Sequence, residues 1–129
     1  MKRIVCIITA FLLILSLASC SGGSYSAIGM VKSNIGRKAS LDFVSFKGHY
    51  TFVLRGDEGD DTIEYTANLE EGEFSLYCEQ DGEWVHIVTL QSGDSVSSSV
   101  EIAPTKSVRV KLVTNGKCKV GMVDFALKN

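Results

Sequence analysis

The 129 residues include two histidines, His49 and His86, one proline and one tryptophan. So thin a supply of general bases, with no Gly-x-Ser-x-Gly or His-Glu-x-x-His block, argues against an enzyme. One proline among 12 glycines excludes collagen-like repeats and proline-rich disorder. A basic surplus is missing too, since 13 Lys+Arg stand against 15 Asp+Glu. No stripe is left that neutralises consecutive phosphates, so no nucleic acid is expected as a partner, and no motif calls for a cofactor. Beyond Leu17 no apolar i, i+3, i+4, i+7 stripe lasts three turns, which excludes a substantial helix there. The one long apolar run, residues 4–15 broken by Thr9, falls short of the roughly 20 residues a helix needs to span hydrocarbon.

That run has the anatomy of a signal peptide, with Lys2 and Arg3 as its positive flank and a helix expected in a segment the mature protein lacks. Leu17-Ala18-Ser19-Cys20 follows and resembles the lipobox of bacterial lipoproteins, where small residues admit the signal peptidase and the cysteine takes up lipid. The resemblance implies cleavage before Cys20 and acyl chains of the palmitate type on its thiol and new N-terminus. The expected address is the extracytoplasmic face of the cell membrane, lipid-anchored. Two or more chains make such an attachment stable, where one alone binds marginally. An ordinary secretory signal with an incidental cysteine is the alternative. Cleavage removes two of the 13 basic residues and none of the 15 acidic ones, leaving a mildly acidic domain.

The expected organisation is a lipoprotein signal peptide over residues 1–19, lipidated cysteine and tether over 20–38, and one domain over 39–129. Ser21-Gly22-Gly23-Ser24 reads as flexible spacer. The stretch 25–38 has no clear period and reads as an irregular lead-in or a short edge strand. From Ala39 onward, runs rich in Val, Ile, Phe, Tyr and Thr alternate with turn residues every eight to twelve positions, the spacing of an all-β sandwich or barrel. The runs cover residues 40–46, 50–55, 62–69, 73–79, 84–91, 96–102, 107–114 and 118–127. Eight antiparallel strands suit a jelly-roll-like β-sandwich. Period-two alternation assigns Ile63, Tyr65, Ala67 and Leu69 to one buried face, with Phe74, Leu76 and Cys78, and Val108, Val110 and Leu112, on others.

Lys47-Gly48, Asp81-Gly82 and Asn115-Gly116 lie between such runs and read as hairpin turns. A two-residue turn at Asp81-Gly82 pairs Gln80 with Glu83, Tyr77 with His86, Cys78 with Val85 and Leu76 with Ile87. Tyr77, Glu79, Trp84 and His86 then share the outer face of the hairpin. A longer loop shifts the register by one and sends Trp84, His86, Val88 and Leu90 inward. With Cys6 in the signal and Cys20 lipidated, Cys78 and Cys118 remain for a possible disulfide. They either bridge, closing a loop of about 40 residues worth roughly 4 kcal/mol, or stay as buried thiols. A tight turn at Asn115-Gly116 points Cys118 away from Cys78; a bulge at Gly116 or Gly121 restores it.

Three groups are candidate sites. Tyr77, Trp84, His86 and Glu79 combine aromatic surface with hydrogen-bonding groups, as sugar rings and peptides require, although Trp and Tyr also cap sandwich edges. His49 and Arg55 are possible additions. Asp57, Asp60 and Asp61, in the run Asp57-Glu58-Gly59-Asp60-Asp61, are a weak metal candidate, because calcium takes clustered carboxylates; the spacing is not that of an EF-hand, and a solvated hairpin loop is the competing reading. The Ser-rich stretch around Val96 reads as an edge strand with a polar outer face.

Phe43-Val44-Ser45-Phe46-Lys47-Gly48, Gly56-Asp57 through Ile63-Glu64-Tyr65, Leu69-Glu70-Glu71-Gly72 and Asn115-Gly116-Lys117-Cys118 resemble a group of small lipoproteins from Gram-positive, Firmicutes-like bacteria. Those proteins carry a single β-sandwich and have no characterised activity. The resemblance implies fold and address and adds no catalytic residue. The expected function is a non-catalytic module at the cell surface that binds a glycan or a protein. The alternative is a structural or accessory interaction subunit of an envelope complex.

Overall fold

The structure is a computed structural model that describes residues 23–129. The signal peptide with its expected helix, the lipobox with Cys20, and the first part of the tether lie outside the described residues.

Nine strands run in the order β1 (Tyr25–Ile28), β2 (Val31–Ile35), β3 (Lys38–Arg55), β4 (Thr62–Glu71), β5 (Glu73–Gln80), β6 (Glu83–Gln91), β7 (Ser95–Glu101), β8 (Ser107–Thr114) and β9 (Cys118–Lys128). All pairings are antiparallel. The first half of β3 pairs with β1 and β2 on one side and with β9 on the other, and β9 continues to β4 and β7. Its second half pairs with β8, which continues to β5 and β6. The result is the jelly-roll-like sandwich that the strand pattern implied, with nine strands instead of eight.

The count differs at two places, each with a physical cause. Lys47-Gly48 is no hairpin: residues 38–55 form one strand that passes from one sheet to the other. Gly48 has φ 128°, and a Cβ there would lie 2.2 Å from the Ser24 carbonyl oxygen. Thr114 Oγ1 accepts from Gly48 N–H at 2.8 Å, so the bend keeps its polar groups satisfied. The alternation changes phase across the bend: Leu41 and Phe43 face the core before it, and Tyr50, Phe52 and Leu54 after it. The second cause lies before Ala39, in the segment assigned to the tether, where the edge-strand reading of residues 25–38 holds, with two strands in place of one. There β1 and β2 add to the edge of β3, and His49 N–H donates to Ser24 O at 2.9 Å. The folded part thus reaches back at least to Ser24.

Asn115-Gly116 also joins the two sheets and closes no hairpin, because β8 pairs with β3 and β5 whereas β9 pairs with β3 and β4. Cys118 is therefore free to point inward, and it is fully buried, as is Cys78. The two do not bridge; both are free thiols. Cys118 Sγ–H donates to Glu73 O at 3.2 Å, at the start of β5, while Cys78 sits near its other end. Five residues of strand separate those positions, roughly 16 Å, far beyond disulfide reach.

The core fills from both inner faces. Ile63, Tyr65, Ala67, Leu69, Phe74, Leu76, Val108, Val110 and Leu112 are all buried, as their alternation implied. Aromatic rings pack along β3, Phe43 on Phe46 with 5.4 Å between centroids and Tyr50 on Phe52 with 4.8 Å, and Phe52 meets Phe125 of the opposite sheet at 6.4 Å.

Burial pushes both thiol pKa values up, so neither is a reactive thiolate at neutral pH. Dithiothreitol is expected to leave the Tm unchanged, and iodoacetamide to alkylate Cys78 and Cys118 only after unfolding. Mass spectrometry of native and denatured samples checks this; a Tm that falls on reduction would contradict it.

Candidate functional site

The hairpin of β5 and β6 turns at Asp81 and Gly82, whose φ values of 52° and 78° are those of a two-residue turn with both central residues left-handed. From there Gln80 pairs with Glu83, Glu79 with Trp84, Cys78 with Val85 and Tyr77 with His86. The pairing then slips by one, and Leu76 meets Val88 where Ile87 was expected. The extra residue on β6 is a bulge, which reverses the alternation beyond it. Trp84 and His86 thus stay on the outer face with Tyr77 and Glu79, while Leu90 turns into the core. Each of the two registers considered for this hairpin holds on one side of the bulge.

A neighbouring strand brings two cations to that face. Tyr77 pairs with Lys111 on β8, and Val108, Val110 and Leu112 point inward, so Arg109 and Lys111 point out. Lys111 Nζ lies 4.1 Å from the Trp84 ring centroid and 5.4 Å from that of Tyr77. Arg109 Cζ lies 5.2 Å from the Trp84 centroid, and its guanidinium pairs with Glu79. Burial, and then repulsion from Arg109, lower the Lys111 pKa from its ordinary value. On the far side of Tyr77, His86 stands edge-on at 5.5 Å and its Nε2 meets Thr89 Oγ1 at 2.7 Å. Ser75 Oγ completes that chain, 2.7 Å from Thr89 Oγ1.

The surface differs from a bare aromatic platform in two ways. Cations lie over the Trp84 ring, an attraction worth about 0.5–1 kcal/mol at an exposed site. The Glu79 carboxylate is engaged by Arg109, which removes it as a free acceptor. Arg109 and Lys111 were missed in the sequence; alternation around Val108 and Val110 faces them outward, but nothing local says that β8 lies beside β5. His49 and Arg55 stand opposite Val113 and Ser107, at the two ends of the second half of β3 and beyond β8 from the aromatic group.

The acidic loop is a structural device, which corrects its reading as a metal candidate. Asp60 is fully buried, and Arg37 Nε donates to its Oδ2 at 3.0 Å. Arg37 also pairs with Asp57, whose N–H donates to Asp60 Oδ2 at 2.9 Å. Asp61 accepts from Thr62 Oγ1 at 3.1 Å. A guanidinium occupies the place a cation would take, and no metal-binding group of three or more His, Cys, Asp or Glu occurs among the described residues.

A concavity of about 520 Å³ crosses the outer face of the other sheet, away from the aromatic group, lined by Lys38, Ser40, Glu64, Thr66, Asp124 and Lys128 among others. Ser40 and Thr66 flank Asp124 in one cross-strand row that ends on Ser97. Burial, and then Asp42, raise the Asp124 pKa above the ordinary carboxylate value. This groove offers hydroxyls and carboxylates and has no aromatic residue at its outward positions.

No family model and no curated protein matches the chain. Among solved structures it is similar to TmCBM61 in complex with β-1,4-galactotriose, at 13% identity over 83% of this chain and 88% of that one, with a TM-score of 0.51. A family 6 carbohydrate-binding module is more distant, at 14% identity over 84% and 88% with a TM-score of 0.44. At 13% identity the likeness to TmCBM61 shows a shared fold and nothing finer.

Because the folded-state pKa of Asp124 is raised, its ionised form carries a cost in the native state at neutral pH. That cost disappears as pH falls through the raised value and then the unfolded one. Asp124→Asn is expected to stabilise the domain at pH 7 by a few tenths of a kcal/mol, roughly, given the exposure of the site, and to lose that advantage near pH 3. Urea unfolding at the two pH values measures both; an equal effect at each would show that ionisation is not the cause.

Proposed function

We propose that the chain is a lipid-anchored, extracytoplasmic, non-catalytic module of a Gram-positive bacterium that binds glycan on the outer face of the β3–β8–β5–β6 sheet. One observation carries the reading: Tyr77, Trp84 and His86 share a face with Ser75, Thr89, Arg109 and Lys111. Rings that present apolar surface beside hydroxyl and charged donors suit a sugar, whose C–H faces need packing and whose hydroxyls need partners. The fold shared with TmCBM61, solved with a galactotriose, supports a binding module. The lipobox at Leu17-Ala18-Ser19-Cys20 supports the anchor.

A second reading, an accessory subunit of an envelope complex, draws on exposed apolar residues at the β1–β2 edge: Ile28, Val31, Ile35 and the adjoining Val44. Contiguous exposed apolar groups mark contact surfaces.

Residues 23–129 contain every strand and the whole core described above, so this segment is the reagent for a glycan array. A specific hit is expected, weakened about tenfold or more by Trp84→Ala with the Tm little changed. A protein that binds no glycan leaves the subunit reading in its place. For the anchor, Cys20→Ala in the full chain is expected to move the protein from the membrane to the soluble fraction and to abolish labelling by radioactive palmitate. Membrane retention without Cys20 would refute lipid attachment.

A further inference from the structure

Lys111 is the least compensated charge on the aromatic face. The ion pairs among the described residues join Arg37 to Asp57 and Asp60, Arg109 to Glu79, Lys119 to Glu71 and Lys128 to Glu64. None involves Lys111, and its ammonium meets the rings of Trp84 and Tyr77. The nearest carboxylate on this face, Glu79, is already paired with Arg109. Glu73, at the start of β5, accepts from Gln91 and Asn115. A partly buried ammonium next to a guanidinium and without an anion is costly to maintain in a chain with more acidic than basic residues. The two ring contacts favour a cation at this position, but they supply no negative charge to offset it.

We propose that this face selects an acidic saccharide, with a sugar ring packed against Tyr77 and Trp84 and an anionic substituent ion-paired to Lys111 beside Arg109. The inference rests on the glycan reading and adds the charge of the ligand to it. The ammonium lies over both the Trp84 and the Tyr77 ring, so a sugar packed on the ring surface it leaves uncovered has its substituents near Nζ. The anion supplies the missing partner, and exclusion of water by the flanking rings strengthens the pair. The depressed Lys111 pKa is what such an unpartnered site shows before the anion arrives. The His86, Thr89 and Ser75 chain, on the far side of Tyr77, is placed to meet neutral hydroxyls of the same ligand. A uronate carboxylate and a phosphodiester joined to a sugar or polyol present the same chemistry to Lys111.

The test is an array of matched pairs read with residues 23–129: uronate-containing saccharides beside their methyl esters, and phosphodiester-linked glycans beside their dephosphorylated forms. Inorganic polyphosphate serves as an anion without a sugar. The acidic member of a pair is expected to bind about tenfold tighter than its neutral counterpart. Lys111→Gln should remove that preference, Lys111→Arg should retain most of it, and added salt should weaken it. Whether the carboxylate or the phosphodiester pair responds identifies the source of the anion. Equal binding of both members, lost in Trp84→Ala and unaffected by Lys111→Gln, overturns the inference and leaves glycan binding intact. Polyphosphate binding as tight as that of any saccharide overturns it too, by reducing the face to a charge patch. No binding in any arm removes both readings together.

Discussion

The sandwich depends on β3 crossing between its sheets without a break. At Gly48 a side chain is excluded by the Ser24–Tyr25 backbone, with the Ser24 carbonyl oxygen 2.2 Å and Tyr25 Cα 2.7 Å from where a Cβ would stand. That closeness lets β1 lie on the bend and lets Tyr25 stack on Phe46, with 5.4 Å between centroids. β9 and β8 both take their registers from β3, so β4 and β5, which pair onto those strands, inherit them. The position of Lys111 beside Tyr77 is therefore a distant consequence of where β3 bends. Displacing the bend by one residue would turn the side chains of the second half of β3 to the other face.

What was legible in the sequence was local. Ile63, Tyr65, Ala67 and Leu69 declare a buried face by alternation alone, and Asp81-Gly82 declares a hairpin, because its strands pair with each other. Lys47-Gly48 and Asn115-Gly116 carry the same chemical signal and do something else. A glycine dipeptide reports permissive backbone and close approach, and is silent on whether the next strand returns beside the previous one or passes to the opposite sheet. β1 and β2 were legible as no more than an irregular lead-in or a short edge strand: Val31, Lys32, Ser33 and Ile35 are all exposed, so no burial pattern alternates along β2.

The candidate site divides along the same line. Tyr77, Glu79, Trp84 and His86 lie within one hairpin, and their common face follows from the turn. The bulge at Ile87 leaves those four in place because it falls beyond them. Arg109 and Lys111 arrive from β8 through non-local pairing, and they change the chemistry of the face from aromatic and acidic to aromatic and cationic. Arg37 plays the corresponding part for the acidic loop. It sits in the turn between β2 and β3, about twenty residues before Asp57 and Asp60, and ties what looked like a free cluster of carboxylates to one guanidinium, with Asp60 buried beneath it and Asp57 exposed.

Charge distribution ties these findings together. Acidic residues outnumber basic ones across the chain, and the loop after β3 holds Arg37 against two of its carboxylates, while Lys111 is left without a carboxylate on the outer face. An acidic body that withholds a cation from its own carboxylates has a reason to orient toward an anionic ligand, since long-range repulsion elsewhere narrows productive approach to that face. With lipid on Cys20 as proposed, four residues separate the anchor from Tyr25, a reach of at most about 18 Å when extended. The domain then works close against the membrane. On the proposed reading, a cation lying over two aromatic rings distinguishes an anionic sugar by contact with its ring as well as by its charge, and the ring contact persists where salt screens the charge.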